Sequence, residues 1–336
     1  MFWKNFRNQL LHASVLFLIV VVFLIVALFY GTNMPGEAGI DELVELDDGM
    51  LTSRERIKSD VYMLAQEIGE RHYRHGDTLE QSADYIENSF RDMAYNPVSE
   101  VYGKRSFRNI VVNHYGGEAR KEIIIVGAHY DSVLLSPGAD DNASGVATML
   151  EIARNLKDRQ MKRTVRFVAF ANEEWPFFAR EDMGSLVHAE KATDRQEKIV
   201  AMLSLEMLGF YSSENNSQGY PRPLNYFYPN TADFVAFISN IASRQLLHQS
   251  IREFRVSKTF PSEGLIAPRF LVPDIRRSDN SSFWAKGFPA IMITDTSNYR
   301  NPNYHRQQDT VDTLNYDAMT RIVQGLTITI ESLANN

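Results

Sequence analysis

Four apolar runs in this chain break off in the same way, each passing straight into acids or an imidazole. They are "EIIIVGAHYDS" from Glu122, "VRFVAFANEE" from Val165, "IVAMLSLEM" from Ile199, and "AIMITDTS" from Ala290 with its following "NYRNPNYH". Short apolar runs without polar residues at alternate positions are the mark of strands buried on both faces. Between them lie stretches of helical period. "ASGVATMLEIARNL" places Val146, Met149, Leu150 and Ala153 on one face, and a final helix carries Met319, Ile322, Val323, Leu326 and Ile330. Strands that alternate with helices require an α/β sheet covered on both sides. In such sheets ligands bind beyond the carboxyl ends of the strands, which is where these acids and imidazoles fall.

The remaining elements are read from shorter signals. "TSRE" (Thr52–Glu55) is a capping box expected to open a helix that runs to about Glu70, and a second helix is expected over residues 78–93. "RNIVVNHYG" (Arg108–Gly116) reads as a strand, "MGSLVHAEKA" (Met183–Ala192) as a helix, and "TADFVAFISNIASRQLL" (Thr231–Leu247) as a helix. Residues 212–223 and 258–273 fit neither pattern. Loops that long in a compact domain are usually functional, so both are expected to rim the site.

The first 35 residues are of another kind. Lys4 and Arg7 precede "ASVLFLIVVVFLIVALFY" (Ala13–Tyr30), 18 residues without a charge. As a helix that run would be about 27 Å long, close to the thickness of bilayer hydrocarbon. Acids alone follow as far as Arg54, so the positive flank is expected to stay cytoplasmic and the remainder to lie in the periplasm or outside the cell. The rival, a cleaved signal peptide, needs a shorter apolar core and a small-residue cleavage site, and "VALFYGTN" is a poor one. The expected organisation is a cytoplasmic stub and lipid-spanning anchor over 1–35, an acidic linker over 36–51 and a catalytic domain over 52–336.

Composition narrows the chemistry. There is no cysteine, which excludes disulfides, thiol nucleophiles and thiolate zinc sites. A net charge of −7 without a basic stripe argues against nucleic acid as a partner. No G-x-S-x-G elbow, P-loop or dinucleotide fingerprint is present. A metal site fits better, because so many carboxylates at one sheet edge resist joint ionisation and divalent cations relieve them. His129 can ligate, with Asp131 two residues on holding its ring. One of Asp140 and Asp141 can bridge two ions. Of Glu173 and Glu174, one can ligate while the other faces the reacting water. Glu206 and His305 complete the supply.

In order and spacing, "GAHYDS", "PGADDNASG", "NEE", "LEM" and "YH…DT" resemble family 28 of the metallopeptidases, the dinuclear zinc aminopeptidases, whose relatives include glutamate carboxypeptidase II and glutaminyl cyclase. The resemblance covers roughly residues 55–333. It implies a three-layer α/β/α zinc-peptidase fold with a mostly parallel, mixed central sheet and two Zn2+ per chain. It implies that Asp141 bridges the ions, that His129 and Glu206 hold one, and that Glu174 and His305 hold the other. Glu173 would be general base and acid towards peptide substrates, acting on a metal-bridging hydroxide. Asp131 would support His129, and Tyr304 would stabilise the oxyanion. There are two departures: position 206 is often Asp in the family, and "SDN" (Ser278–Asn280) stands where relatives often have Ser-Asp-His, so Asn280 receives no role. Asp140 is read as a loop or capping acid. His12, His72, His75, His114, His188 and His248 are read as structural or surface residues. Trp175, Phe177, Phe178 and Tyr211 follow the ligands and would line a specificity pocket or pack in the core. The activity expected is removal of N-terminal residues. The alternatives are a glutaminyl-cyclase-like acyltransferase, a non-enzymatic scaffold, and a carboxypeptidase, for which Arg269, Arg276, Arg277, Arg300 and Arg306 are available.

Overall fold

The sheet is built from the apolar runs. The computed structural model describes residues 2–336, except the side chains of residues 2–10, 23–25 and 27. Strands β1 (Val98–Tyr102), β2 (Phe107–His114), β3 (Ala119–His129), β4 (Arg163–Phe170), β5 (Lys198–Glu206), β6 (Val235–Ser239), β7 (Ser262–Ile266) and β8 (Ala290–Thr294) form one sheet in the order β1-β2-β4-β3-β5-β8-β6-β7. β4, β3, β5 and β8 run parallel to one another, while β2 is antiparallel to β4 and β6 to β8. The four runs that end in acids and imidazoles are therefore the four adjacent parallel strands at the centre.

Their lack of alternation has a direct cause. On β3, Ile124 and Val126 enter one core while Ile123 and Ile125 enter the other. The larger core lies under α2 (Asp48–Tyr62), α3 (Gly76–Asp92), α4 (Gly145–Leu156), α6 (Arg244–Ser257) and α8 (Tyr316–Asn335). The smaller lies under α5 (Gly184–Asp194) and α7 (Asn280–Ala285), which gives three layers. Each aliphatic side chain buried here contributes about 1.5–3 kcal/mol.

Several elements depart from the sequence reading. α2 starts at Asp48, not at Thr52, because the Asp47 carboxylate accepts the Met50 N–H at 2.8 Å and caps the helix a turn earlier; Thr52 lies inside it. Residues 231–247 are not one helix. "VAFIS" is β6, and α6 begins only at Arg244. The run is short, aromatic and β-branched, and Val235 and Phe237 are buried against the α6 face, where Phe237 meets the Phe254 ring at 5.3 Å. Periodicity cannot separate such a strand from a buried helical turn. Residues 258–273 include β7, and β1 forms a hairpin with β2 in the register Tyr102↔Phe107.

Helix α1 (Phe2–Thr32) takes in the whole of the apolar run 13–30. Among the described residues no helix is long and apolar enough to cross a membrane. Lys4, Arg7 and positions 23–25 and 27 of the predicted span have side chains outside the described ones. Past α1 the chain docks on the edge strand: the Ala38 carbonyl accepts the Ser262 N–H at 3.0 Å, and Arg255 donates to the carbonyls of Pro35 and Gly36.

Candidate metal centre

The carboxyl ends of β3, β4 and β5 and the loop after β8 converge. β3 ends on His129; its register partner on β4 is Phe170, so Glu173 and Glu174 follow just beyond that strand end. β5 ends on Glu206, paired with Thr294 at the end of β8. Asp141 lies in the turn before α4. The loop after β8 returns His305, whose φ of 59° is a left-handed conformation that a side chain adopts at a cost.

Two triads result, and they share one residue. His129, Asp141 and Glu206 offer ligand atoms that all lie within 4.8 Å of one another, and so do Asp141, Glu174 and His305. His129 Nε2 lies 3.4 Å from Asp141 Oδ1 and 3.4 Å from Glu206 Oε2. His305 Nε2 lies 3.1 Å from Asp141 Oδ2 and 3.5 Å from Glu174 Oε1. The two oxygens of Asp141 thus face different imidazoles. His129 Nε2 and Glu174 Oε1 are buried without a hydrogen-bond partner. Zinc with ligand bonds of about 2.0–2.2 Å sets neighbouring tetrahedral ligand atoms about 3.3–3.6 Å apart. The donor types, their spacing and the two orphaned atoms fit zinc.

Carboxylates behind the triads hold them in place. Asp131 accepts the backbone N–H groups of both Glu173 and Glu174 at 3.0 Å, and its Oδ1 lies 3.4 Å from His129 Nδ1. Asp309 does the same for the other ligand-bearing turn: it accepts from the N–H of Asp140 at 2.9 Å and of Asp141 at 3.1 Å. Ser278 donates to Glu206 Oε2 at 2.7 Å. The Asn142 side chain accepts from Gly145 and Met207 and donates to the Leu205 carbonyl, tying the start of α4 to the end of β5. Buried Arg71 donates to the carbonyls of Tyr130, Leu64, Gly69, Pro137 and Gly138, which closes the loop between His129 and Asp141. Of these supports, sequence reasoning named Asp131 alone. Asp309, Asn142 and Ser278 stood within quoted motifs without a role, and nothing local marks Arg71.

The electrostatics repeat the demand for cations. Burial, then the charges of neighbouring acids, push the Glu173 carboxyl far above its ordinary range and Glu174 up to about 7. Burial also raises Glu206, and carries Asp279 up to about 7. Burial would raise Asp141 as well, yet hydrogen bonds with His129 and His305 hold it below the usual carboxylate range. Burial opposes charge on His305, but Asp141 and Glu174 carry its imidazolium up to about 10. Protonated imidazoles supply only part of the positive charge that these acids require.

Asp140 ligates nothing in this arrangement. It is buried, accepts from Gly209 N–H at 2.8 Å and from Asn301 Nδ2 at 2.6 Å, and so orders the segments after β5 and β8. The Tyr304 ring stacks on His305 at 3.7 Å between centroids. Burial raises the Tyr304 phenol, so it keeps its proton. Tyr304 also lines a cavity of about 800 Å3, counting its open mouth. Residues 218–221 and 263–265 of the two predicted loop segments line that cavity, but Trp175, Phe177, Phe178 and Tyr211 do not. Phe177 packs edge-on against Tyr73 and Phe107, Tyr211 packs against Phe260, and Trp175 is 70% exposed.

Comparison with known proteins agrees with this architecture. The model of peptidase family M28 matches residues 109–328. An uncharacterized protein of Escherichia coli strain K12, YfbL, is 39% identical over 286 residues, 82% of this chain and 86% of that protein. Leucine aminopeptidase 2 of Trichophyton rubrum is 25% identical over 246 residues; the match takes in 68% of this chain and 45% of the relative, so this chain spans less than half of the fungal protein's length. Among solved structures, a zinc aminopeptidase from Bacillus subtilis shares the fold, with a TM-score of 0.68 at 15% identity over 84% of this chain and 95% of that one.

Proposed function

Because the chain belongs to peptidase family M28, we propose that it is a membrane-anchored zinc exopeptidase that removes N-terminal residues from peptides. The observation that carries this reading is the pair of triads sharing Asp141 at the carboxyl ends of the central strands. Asp141 would bridge two zinc ions, with His129 and Glu206 on one and Glu174 and His305 on the other. When bound, zinc supplies Lewis acidity for the scissile carbonyl and lowers the pKa of water towards neutrality.

The chain's own residues do the rest. Glu173 sits beside the ligands, its backbone N–H fixed by Asp131. With the cations that the neighbouring acids require in place, its carboxyl would be ionised and would take a proton from the attacking water as the oxygen bonds to the carbonyl carbon. When the C–N bond breaks, Glu173 returns that proton to the leaving amine. Tyr304, protonated and stacked on His305, donates to the oxyanion; one such donor is typically worth about 3 kcal/mol. Asp131 and Asp309 hold the ligand-bearing turns fixed throughout.

Two zinc per chain, one for each triad, and cleavage that requires a free α-amino group are expected of the full chain. Metal analysis beside a panel of aminoacyl-nitroanilides and N-terminal-Gln peptides checks both. Glu173→Gln should keep the zinc and lower turnover by about 10²–10⁴-fold. A single zinc with ring closure of N-terminal Gln would replace this reading with that of a cyclase.

Residues 1–35 would be the anchor, 36–51 the linker and 52–336 the catalytic domain, with the N-terminus cytoplasmic and the site in the periplasm or outside the cell. The support is the uncharged run from Ala13 to Tyr30, flanked by Lys4 and Arg7. The full chain should sediment with membranes, and protease added to intact spheroplasts should digest the catalytic domain. Protection of that domain would reverse the orientation.

A further inference from the structure

The cavity that begins at Tyr304 has an unusual far end. Its wall is the sheet face formed by β8, β6 and β7, opposite the one packed by α6. Ala236 and Ile238 of β6, Met292 and Thr294 of β8, and Leu265 of β7 supply that wall, and the lining is apolar apart from a few groups. Three of those groups are charged. Asp274 and Arg277 neutralise each other at 3.1 Å. The third, Glu263, has only a looser ion pair. The cation in that pair, Arg255, is 4.0 Å away and directs four of its five N–H groups at Ser262 Oγ and O and at the carbonyls of Pro35 and Gly36. Among the described residues nothing donates a hydrogen bond to the Glu263 carboxylate.

The sheet register gives the distance. Glu206, a ligand in the first triad, pairs with Thr294, Thr294 with Ala236, and Ala236 with Glu263. Three strand spacings of about 4.8 Å place the Glu263 α-carbon about 14 Å along one row from that of Glu206. An extended lysyl or arginyl side chain spans about 7 Å, and a charge-assisted hydrogen bond adds about 3 Å.

We propose that this cavity is the pocket for the substrate's N-terminal side chain, and that Glu263 makes it select lysine or arginine. The inference rests on the aminopeptidase reading. The apolar walls hold the methylene stem and the half-buried carboxylate of Glu263 receives the cationic head, a division of labour suited to amphipathic side chains. Leucine or phenylalanine would fill the walls, displace water from the half-buried Glu263 and offer it no donor in return, which is costly for an acid.

The test uses the full chain in detergent, loaded with zinc, against arginyl-, lysyl-, leucyl- and phenylalanyl-nitroanilide. Arginine and lysine should lead in kcat/KM. Glu263→Gln should shift the arginine-to-leucine ratio towards leucine by about 10–100-fold, the effect of one hydrogen bond to a charged group. Glu263→Asp should retain more of the preference. Calorimetric binding of arginine amide and leucine amide to the same proteins gives a readout independent of turnover. Leucine cleaved in preference to arginine, or an arginine-to-leucine ratio unmoved by Glu263→Gln, overturns the pocket assignment alone. If no nitroanilide is cleaved, the aminopeptidase reading fails, and calorimetry decides the pocket: arginine amide bound by the native chain and lost in Glu263→Gln supports it, and equal binding to both refutes it.

Discussion

At the scale of single residues, His129, Glu173, Glu174 and Glu206 were legible as site candidates because each follows an apolar run closely enough that folding must bring it to a strand end. Which of the two glutamates ligates, and the roles of Asp141 and His305, came from the resemblance. Their supports were not legible, because they act across the chain. Asp309 lies 168 residues from the amide of Asp141 that it accepts. Its two oxygens take two successive N–H groups, an arrangement that only a carboxylate completes. Asp309→Asn would turn an NH2 group towards one of them. A lost hydrogen bond to a charged group costs about 1.5–3 kcal/mol, and comparable changes behind metal ligands lower affinity about 10–100-fold. We expect that loss in zinc affinity for Asp309→Asn, read by competition with a chelator, while Glu173 is untouched. Zinc binding as tight as in the native chain would show that Asp309 serves the loop and not the site.

At the scale of elements, sequence reasoning succeeded where a run was long and failed where it was short. β3 has seven consecutive buried residues at its end and could hardly be anything but a central strand. β6 has five residues, and its apolar run merges with the apolar face of the helix that follows. The site depends on how closely elements approach one another. α4 meets the end of β5 at Gly145, where an added Cβ would lie 2.3 Å from Asn142 Oδ1 and 2.6 Å from the Leu205 carbonyl oxygen. The carbonyl belongs to a central strand and cannot yield cheaply. Gly145→Ala should therefore separate α4 from β5 despite alanine's better helix propensity. The expected cost is about 1–3 kcal/mol in chemical denaturation, the usual range for overpacking. Zinc should be lost in parallel, because Asn142 and Asp141 move with the turn. A variant of unchanged or increased stability would mean that propensity outweighs the clash.

At the scale of the whole molecule, the layers are unequal. α5 and α7 cover the centre of one sheet face, but opposite α6 the segments around residues 218–228 and 272–277 arch over β6 and β7 and leave the cavity beneath. An acid in such a wall affects the stability of the entire fold. Burial raises the Glu263 carboxyl to about 7, and the groups facing it are Arg255 of α6, which opposes the shift, and Tyr228 across the cavity. The sign follows from linkage. Below the ordinary carboxyl value of 4.5 the acid is protonated in folded and unfolded chains alike, and it costs nothing. As pH rises the unfolded chain ionises first, so the folded state is penalised progressively until the pH passes about 7. Replacing the acid with an uncharged amide removes the penalty. At pH 8, Glu263→Gln should be more stable than the native chain by about 2 kcal/mol, at about 1.4 kcal/mol per pKa unit with a discount for partial exposure. At pH 4 the two should unfold alike. Denaturation at both pH values checks this, and bound arginine amide should reverse the order at pH 8, because the ligand's cation favours the ionised acid that the empty pocket disfavours. An equal difference at pH 4 and pH 8 would place the effect of the substitution in packing rather than in charge.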